Sequence, residues 1–170
     1  QLDKIAHTTM LGLGNTAAID YAERLLRVVP DNLTRVFYSD DGSTAVEAAL
    51  KIAFEYWQNL GIKKKTRFLS FANGYHGDTL GAVSIGHIEL FHEIYRPLLF
   101  DTIQAPAPHL SGCLEKVELI LKQEADTIAA CVLEPLIQCA GGMLIQPKGF
   151  LKELAALCRK HEVLLILDEV

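Results

Sequence analysis

The stretch Val36-Phe37-Tyr38-Ser39-Asp40-Asp41-Gly42-Ser43-Thr44-Ala45-Val46-Glu47-Ala48-Ala49-Leu50 changes its periodicity midway, and the rest of the chain can be arranged around that change. Arg35 to Ser39 is a short apolar run with β-branched and aromatic members, which predicts a strand, and Asp40 to Ser43 breaks it with turn residues. From Thr44 onward Val46, Ala49, Leu50, Ala53, Phe54 and Trp57 recur at i, i+3 and i+4, which predicts a helix with one apolar face. Thr44 and Glu47 have the spacing of a capping box. Gly42 and Ser43 therefore stand where backbone N–H groups lack intrahelical partners, a place that suits an anion such as phosphate. An ordinary strand-to-helix turn would look the same.

Further along, Arg67 to Phe71, Phe100 to Gln104, Ile128 to Leu133 and Val163 to Leu167 read as strands. Ala17 to Val29, Leu114 to Gln123 and Pro147 to His161 read as helices, the first with Ile19, Ala22, Leu25, Leu26 and Val29 inward. Thr79 to Gly86 reads as a short helix capped by Asp78 or Thr79. Apolar runs without alternation, separated by helices, predict an α/β fold with a mostly parallel sheet of about five strands covered by helices on both faces. Residues 1–15 lack periodicity and read as a lead-in loop, bent at Gly12 and Gly14.

The chain has 170 residues, half of them hydrophobic, and a formal net charge of −5. That predicts a folded, soluble domain with a real core. The Lys63-Lys64-Lys65 run follows the Gly61 that should end the long helix and reads as a solvated C-terminal cap. With no other basic stripe, nucleic acid is not an expected partner. Cys113, Cys131, Cys139 and Cys158 form no C-x-x-C pair or zinc spacing, so reduced, mostly buried thiols in a cytoplasmic protein are expected. No apolar run reaches the roughly 18 residues of a membrane helix, and no membrane partner is expected. Gln1 is not an initiator Met and Val170 follows directly on an apolar run, so the chain is expected to be a piece of a longer polypeptide.

In an open parallel sheet, ligands bind beyond the carboxyl ends of the strands. There the sequence presents Gly42-Ser43, Tyr75-His76, Glu134 and Asp168: a helix start for an anion, an aromatic face and two acids. That set suits a flat, phosphorylated, cationic heterocycle. No G-x-G-x-x-G and no G-x-x-x-x-G-K-[ST] occurs. Asp168, after five apolar residues, is poorly explained as packing, because burying an unpaired acid costs several kcal/mol. From the residues alone Tyr75 also reads as a half-buried loop aromatic, Asp78 as a helix N-cap and Glu134 as a strand end. His76, Asp78, His87, Glu89 and His92 lie close in sequence and leave open a metal-dependent hydrolase, although their spacing fits no H-E-x-x-H pattern. A scaffold domain that kept the fold and lost the chemistry is a third reading.

The strings YSDDGSTAVE over 38–47, NGYHGDTLGAVSIG over 73–86, LEPLIQCAGGM over 133–143 and LLILDEV over 164–170 together resemble the class III, fold type I pyridoxal phosphate aminotransferases. Val46-Glu47 and Asp78 favour the branch of that family in biotin biosynthesis over ornithine or 4-aminobutyrate transaminases. The resemblance makes residues 16–170 part of the cofactor-binding large domain. It implies that Gly42 and Ser43 bind the phosphate of pyridoxal 5'-phosphate, that Tyr75 and Val170 cover the two ring faces, and that Asp168 pairs with the pyridine nitrogen. Glu134 would organise hydrogen bonds behind the ring, Asp78 and Tyr75 would face the substrate, and Gly141 and Gly142 would let it approach the backbone. A small-molecule amino donor (S-adenosylmethionine or lysine), an amino-ketone acceptor and a homodimer are implied, with the Met10 to Asn15 loop reaching toward the neighbour's site. Two departures stand out: Asp41 where the family carries a small uncharged residue, and Cys139 where glycine is common. The family's cofactor-anchoring lysine lies downstream of the Asp168-Glu169-Val170 motif, and no lysine here sits in a matching motif. Residues 1–170 alone, and so without that lysine or a small domain, are therefore expected to hold cofactor weakly and not to transaminate.

Overall fold

The computed structural model describes Asp3, His7 and residues 9–170, apart from the side chain of His92. The expected loop over residues 1–15 thus falls partly outside the described residues. The chain divides into two compact units, residues 1–38 and 39–170.

The first unit holds helix α1 (Thr16–Leu25), whose N-cap Asn15 accepts the Ala18 N–H at 2.8 Å. The Tyr38 hydroxyl donates to the Ala18 carbonyl, and the Tyr21 and Tyr38 rings meet with centroids 6.2 Å apart. The expected inward face of this helix is not realised: none of its residues is buried and Ile19 is 53% exposed. The strand expected over Arg35 to Ser39 is also absent. No described strand forms a ladder with it, and Phe37 is 72% exposed.

In the second unit a four-stranded sheet in the order β2-β1-β3-β6 consists of β1 (Arg67–Phe71), β2 (Ile103–Ala105), β3 (Ile128–Leu133) and β6 (Leu164–Leu167). Every pairing is parallel, with Leu69 opposite both Ile103 and Cys131, and Leu133 opposite Leu167. A short antiparallel pair, β4 (Ile137–Gln138) and β5 (Leu144–Ile145), stands apart from it. All six residues of β3 are buried, because both of its faces are covered. Leu69, Phe71, Cys131 and Leu133 pack in one core cluster with α5 (Cys113–Glu124) and α6 (Phe150–Lys160). Phe68, Ala129, Ala130 and Val132 pack in another with α2 (Gly42–Asn59) and α3 (Leu80–Ile85). The short helix α4 (Glu89–His92) and a 3-10 turn at Glu93–Leu98 lead into β2.

Helix α2 buries Val46, Leu50, Ala53 and Trp57, four of the six residues expected to face inward. Small residues on β3 let the Trp57 ring lie close, and its Nε1 donates to the Ala129 carbonyl at 2.8 Å. Phe54 is 42% exposed instead. The lysine run after this helix splits. Lys63 Nζ donates to the Gln58 carbonyl at 2.8 Å, as a C-terminal cap should. Lys65 is only 5% exposed, and its role is structural.

Candidate active site

The strand order brings the carboxyl ends of β1, β3 and β6 side by side, so residues far apart in sequence meet. The Asp168 N–H extends the ladder by donating to the Leu133 carbonyl at 2.9 Å, which turns its side chain beside the β1 loop. There Asp168 Oδ2 lies 2.8 Å from His76 Nδ1, with side chains 7% and 2% exposed. A carboxylate only accepts, so in the ionised pair Nδ1–H donates. Asp168 Oδ1 faces the Val170 N–H at 3.3 Å. The sequence sets His76 at the same strand ends as Asp168, and also among metal candidates, but does not pair the two. Strand order makes that neighbour, and no local pattern signals it.

Glu134, at the end of β3, is buried and binds two loops at once. Its Oε2 accepts the Tyr75 N–H at 3.1 Å and its Oε1 accepts the Cys139 N–H at 3.0 Å. Burial pushes this carboxyl above its ordinary pKa, the two N–H donors and His76 oppose the shift, and the Asp168 charge adds to it. An acid whose folded pKa is raised gives its stabilisation fully below the unfolded value and loses it as pH rises through the folded one. Glu134→Gln removes that titration and forces an amide NH2 against one of the two N–H donors. The variant should therefore be less stable than the parent, with a deficit largest near pH 4 that shrinks toward pH 7. Urea unfolding at several pH values measures it, and a deficit that grows with pH would contradict it.

Helix α2 opens with a capping box made by Asp41 and Thr44, one turn earlier than the Thr44 and Glu47 pair expected from spacing. The Asp41 carboxylate accepts the Thr44 N–H at 2.7 Å, and Thr44 Oγ1 accepts the Asp41 N–H at 3.1 Å. Those bonds hold the Asp41 carboxyl below its usual range, so a negative charge persists at the start of the helix. Ser43 Oγ accepts the Thr79 N–H at 3.0 Å. A Cβ on Gly42 would come within 2.7 Å of Val170 Cγ2, so a larger residue there would displace that side chain.

Asp41, Gly42, Ser43, Tyr75, His76, Asp78, Thr79, Glu134, Asp168 and Val170 line one cavity of ≈ 700 Å³, within the range of small-molecule sites. Asp41 is part of this lining while its carboxylate caps Thr44. Asp41→Asn, which keeps the capping oxygen and loses the charge, should tighten binding of a phosphorylated ligand about threefold at low salt, less at high salt. A titration at two ionic strengths tests this, and weaker binding by the variant would refute it.

Tyr75 reaches across the cavity, its hydroxyl donating to Asp78 Oδ1 at 3.0 Å and its ring edge against Phe91 at 6.1 Å between centroids. The Asp78 carboxylate raises the phenol's pKa. Gly142 does not join the lining, which is completed on that side by Cys139 and Ala140. Gly141 packs instead against the Asn73 backbone. The metal candidates go to separate partners: His76 to Asp168, Asp78 to Tyr75, His87 to Ser70 at 2.9 Å and Glu89 to Arg96 at 3.0 Å. The side chain of His92 lies outside the described residues. Among the described residues no group of three His, Cys, Asp or Glu could hold a metal.

A helix start for a phosphate, an aromatic side chain and a buried carboxylate-imidazole pair on one cavity are the donor set a pyridoxal phosphate would need. The fold and this site define a class of group-transfer enzymes, and the chain belongs to the class-III aminotransferase family, which it matches over residues 1–170. It is 50% identical, over its whole length and 41% of theirs, to the adenosylmethionine-8-amino-7-oxononanoate aminotransferase of Geobacter sulfurreducens. The crystal structure of the enzyme of that name from Methanocaldococcus jannaschii superposes with a TM-score of 0.95 at 42% identity, over 99% of this chain and 38% of that one. An amine transaminase from an uncultivated Pseudomonas species, in its PLP-bound form, gives 0.90 at 35% identity over 99% of this chain and 42% of that one. The chain spans about two fifths of the length of the curated relatives it matches.

Proposed function

We propose that residues 16–170 are part of the cofactor-binding domain of a pyridoxal phosphate aminotransferase that converts 8-amino-7-oxononanoate to 7,8-diaminononanoate in biotin biosynthesis. The observation that carries this reading is the convergence of Ser43, Tyr75 and the His76–Asp168 pair on one cavity. The names of the relatives support the substrate. Four unpaired cysteines fit the cytoplasm, and a homodimer follows from the family resemblance.

Pyridoxal phosphate supplies an electron sink for the carbanion that forms when an amine loses its α-proton. The chain's own groups make that sink usable. The start of α2 would hold the phosphate, while Tyr75 and Val170 would bound the ring. Asp168, its charge steadied by His76, would keep a proton on the pyridine nitrogen. Asp78, at the mouth beside the Tyr75 hydroxyl, offers a carboxylate to a substrate ammonium. None of the described residues lining the cavity is a lysine.

The test uses the full-length protein with pyridoxal phosphate, 8-amino-7-oxononanoate and either S-adenosylmethionine or lysine. A cofactor band that changes with one donor, and the diamine detected by mass spectrometry, are the expected results. A higher kcat/KM for simple ω-amines would instead favour another class-III ω-aminotransferase, the reading that the Pseudomonas amine transaminase supports.

A further inference from the structure

Two sets of hydrogen bonds tie the first turns of α2 to the segment that carries Tyr75 and Asp78. Ser43 Oγ accepts the Thr79 N–H at 3.0 Å and lies 2.9 Å from Thr79 Oγ1. One turn on, Glu47 Oε1 accepts the N–H groups of Gly81 at 2.6 Å and Ala82 at 3.3 Å. Helix α3 has no side-chain cap of its own, since Thr79 makes none, so Glu47 supplies the acceptor from across the interface. The two surfaces touch without slack. A Cβ on Gly77 would fall onto the Ser43 side chain, and one on Gly81 onto the Glu47 carboxylate.

Hydrogen-bond capacity then orients a proton. A serine hydroxyl has two acceptor positions and one hydrogen. Either hydroxyl can donate in the Ser43–Thr79 pair, and a phosphoryl oxygen, which accepts, selects the arrangement in which the Thr79 N–H and hydroxyl both donate to Ser43 Oγ and the Ser43 hydrogen is left for the cavity.

We propose that Thr79 and Glu47 are positioning residues. Together they clamp the Tyr75–Asp78 loop onto the anion-binding turn of α2 and aim the Ser43 hydroxyl proton at a bound phosphoryl group. This rests on the pyridoxal phosphate reading of the cavity. The spacing between the phosphate end and the ring end of the cradle is thereby fixed before a ligand arrives, which lowers the ordering cost of binding.

The experiment compares Thr79→Val, Glu47→Ala and Glu47→Gln in the full-length protein, by equilibrium titration with pyridoxal phosphate and with pyridoxal, amide hydrogen exchange without ligand, and unfolding midpoint. Thr79→Val keeps shape and the N–H to Ser43 but loses the hydroxyl. It should weaken pyridoxal phosphate about fivefold, leave phosphate-free pyridoxal unchanged and keep its midpoint. Glu47→Ala should speed exchange at Gly81, Ala82 and Tyr75 to Asp78 and weaken the cofactor about tenfold, while Glu47→Gln, which retains an acceptor oxygen, stays within about twofold of the parent. Unchanged cofactor affinity in Thr79→Val and Glu47→Ala, or faster exchange confined to Gly81 and Ala82, would overturn the proposal. If Glu47→Ala does not fold, Thr79→Val decides. Should the parent bind no pyridoxal phosphate, the functional reading falls by itself, and the exchange data with an inorganic phosphate titration decide the clamp.

Discussion

Asp168→Asn in the full-length protein should leave pyridoxal phosphate bound and lower kcat about a thousandfold. The carboxylate is 7% exposed and 2.8 Å from His76 Nδ1, so its charge acts in a poorly solvated place where one partner compensates it. A thousandfold corresponds to about 4 kcal/mol of transition-state stabilisation, at about 1.36 kcal/mol for each factor of ten in rate. An asparagine of the same shape can still fill the space and face His76. It carries no charge to keep a proton on the ring nitrogen, so binding should survive and turnover should not. Steady-state kinetics beside a cofactor titration separate the two. A kcat within tenfold of the parent would remove Asp168 from its role.

Lys65→Met should lower the unfolding free energy by about 3–5 kcal/mol without touching the cavity. The Lys65 ammonium donates to the carbonyls of Ala125 at 2.7 Å, Glu162 at 2.9 Å and Ile128 at 3.1 Å, and it lies 4.5 Å from the centroid of a Trp57 ring. Those carbonyls come from the turn before β3, the turn before β6 and β3 itself. One cation thus closes the amino end of the sheet. Methionine fills the volume but donates nothing, which leaves oxygens buried without partners. Urea denaturation should show a lower midpoint at unchanged slope, and a loss below about 1 kcal/mol would mean that water replaces the ammonium.

The parts of the fold legible in the sequence are those where one segment carries its own signal. β3 could be read because a strand buried on both faces is apolar at every position, and α2 because its inward residues recur at helical spacing. Arg35 to Ser39 misled because an apolar run becomes a strand only beside a partner, and α1 formed as a helix although none of its residues is buried. Of the residues singled out in the sequence, Gly42, Ser43, Tyr75, Asp78, Glu134, Asp168 and Val170 line one cavity, and Gly142 is not in that lining. The partners of His76, Thr79, Glu47 and the buried Lys65 escaped because each lies 34 or more residues away. Lys65 in particular looked like one more solvated charge in a run of three.

The same long separations govern when the cavity can exist during folding. His76 and Asp168 are 92 positions apart, and β1, β3 and β6 must already lie in register before the two can meet. Closing so large a loop has an entropic cost that only the assembled sheet repays. The His76–Asp168 side of the cavity is therefore complete only once the sheet has closed, whereas the start of α2 is built from contacts three residues apart.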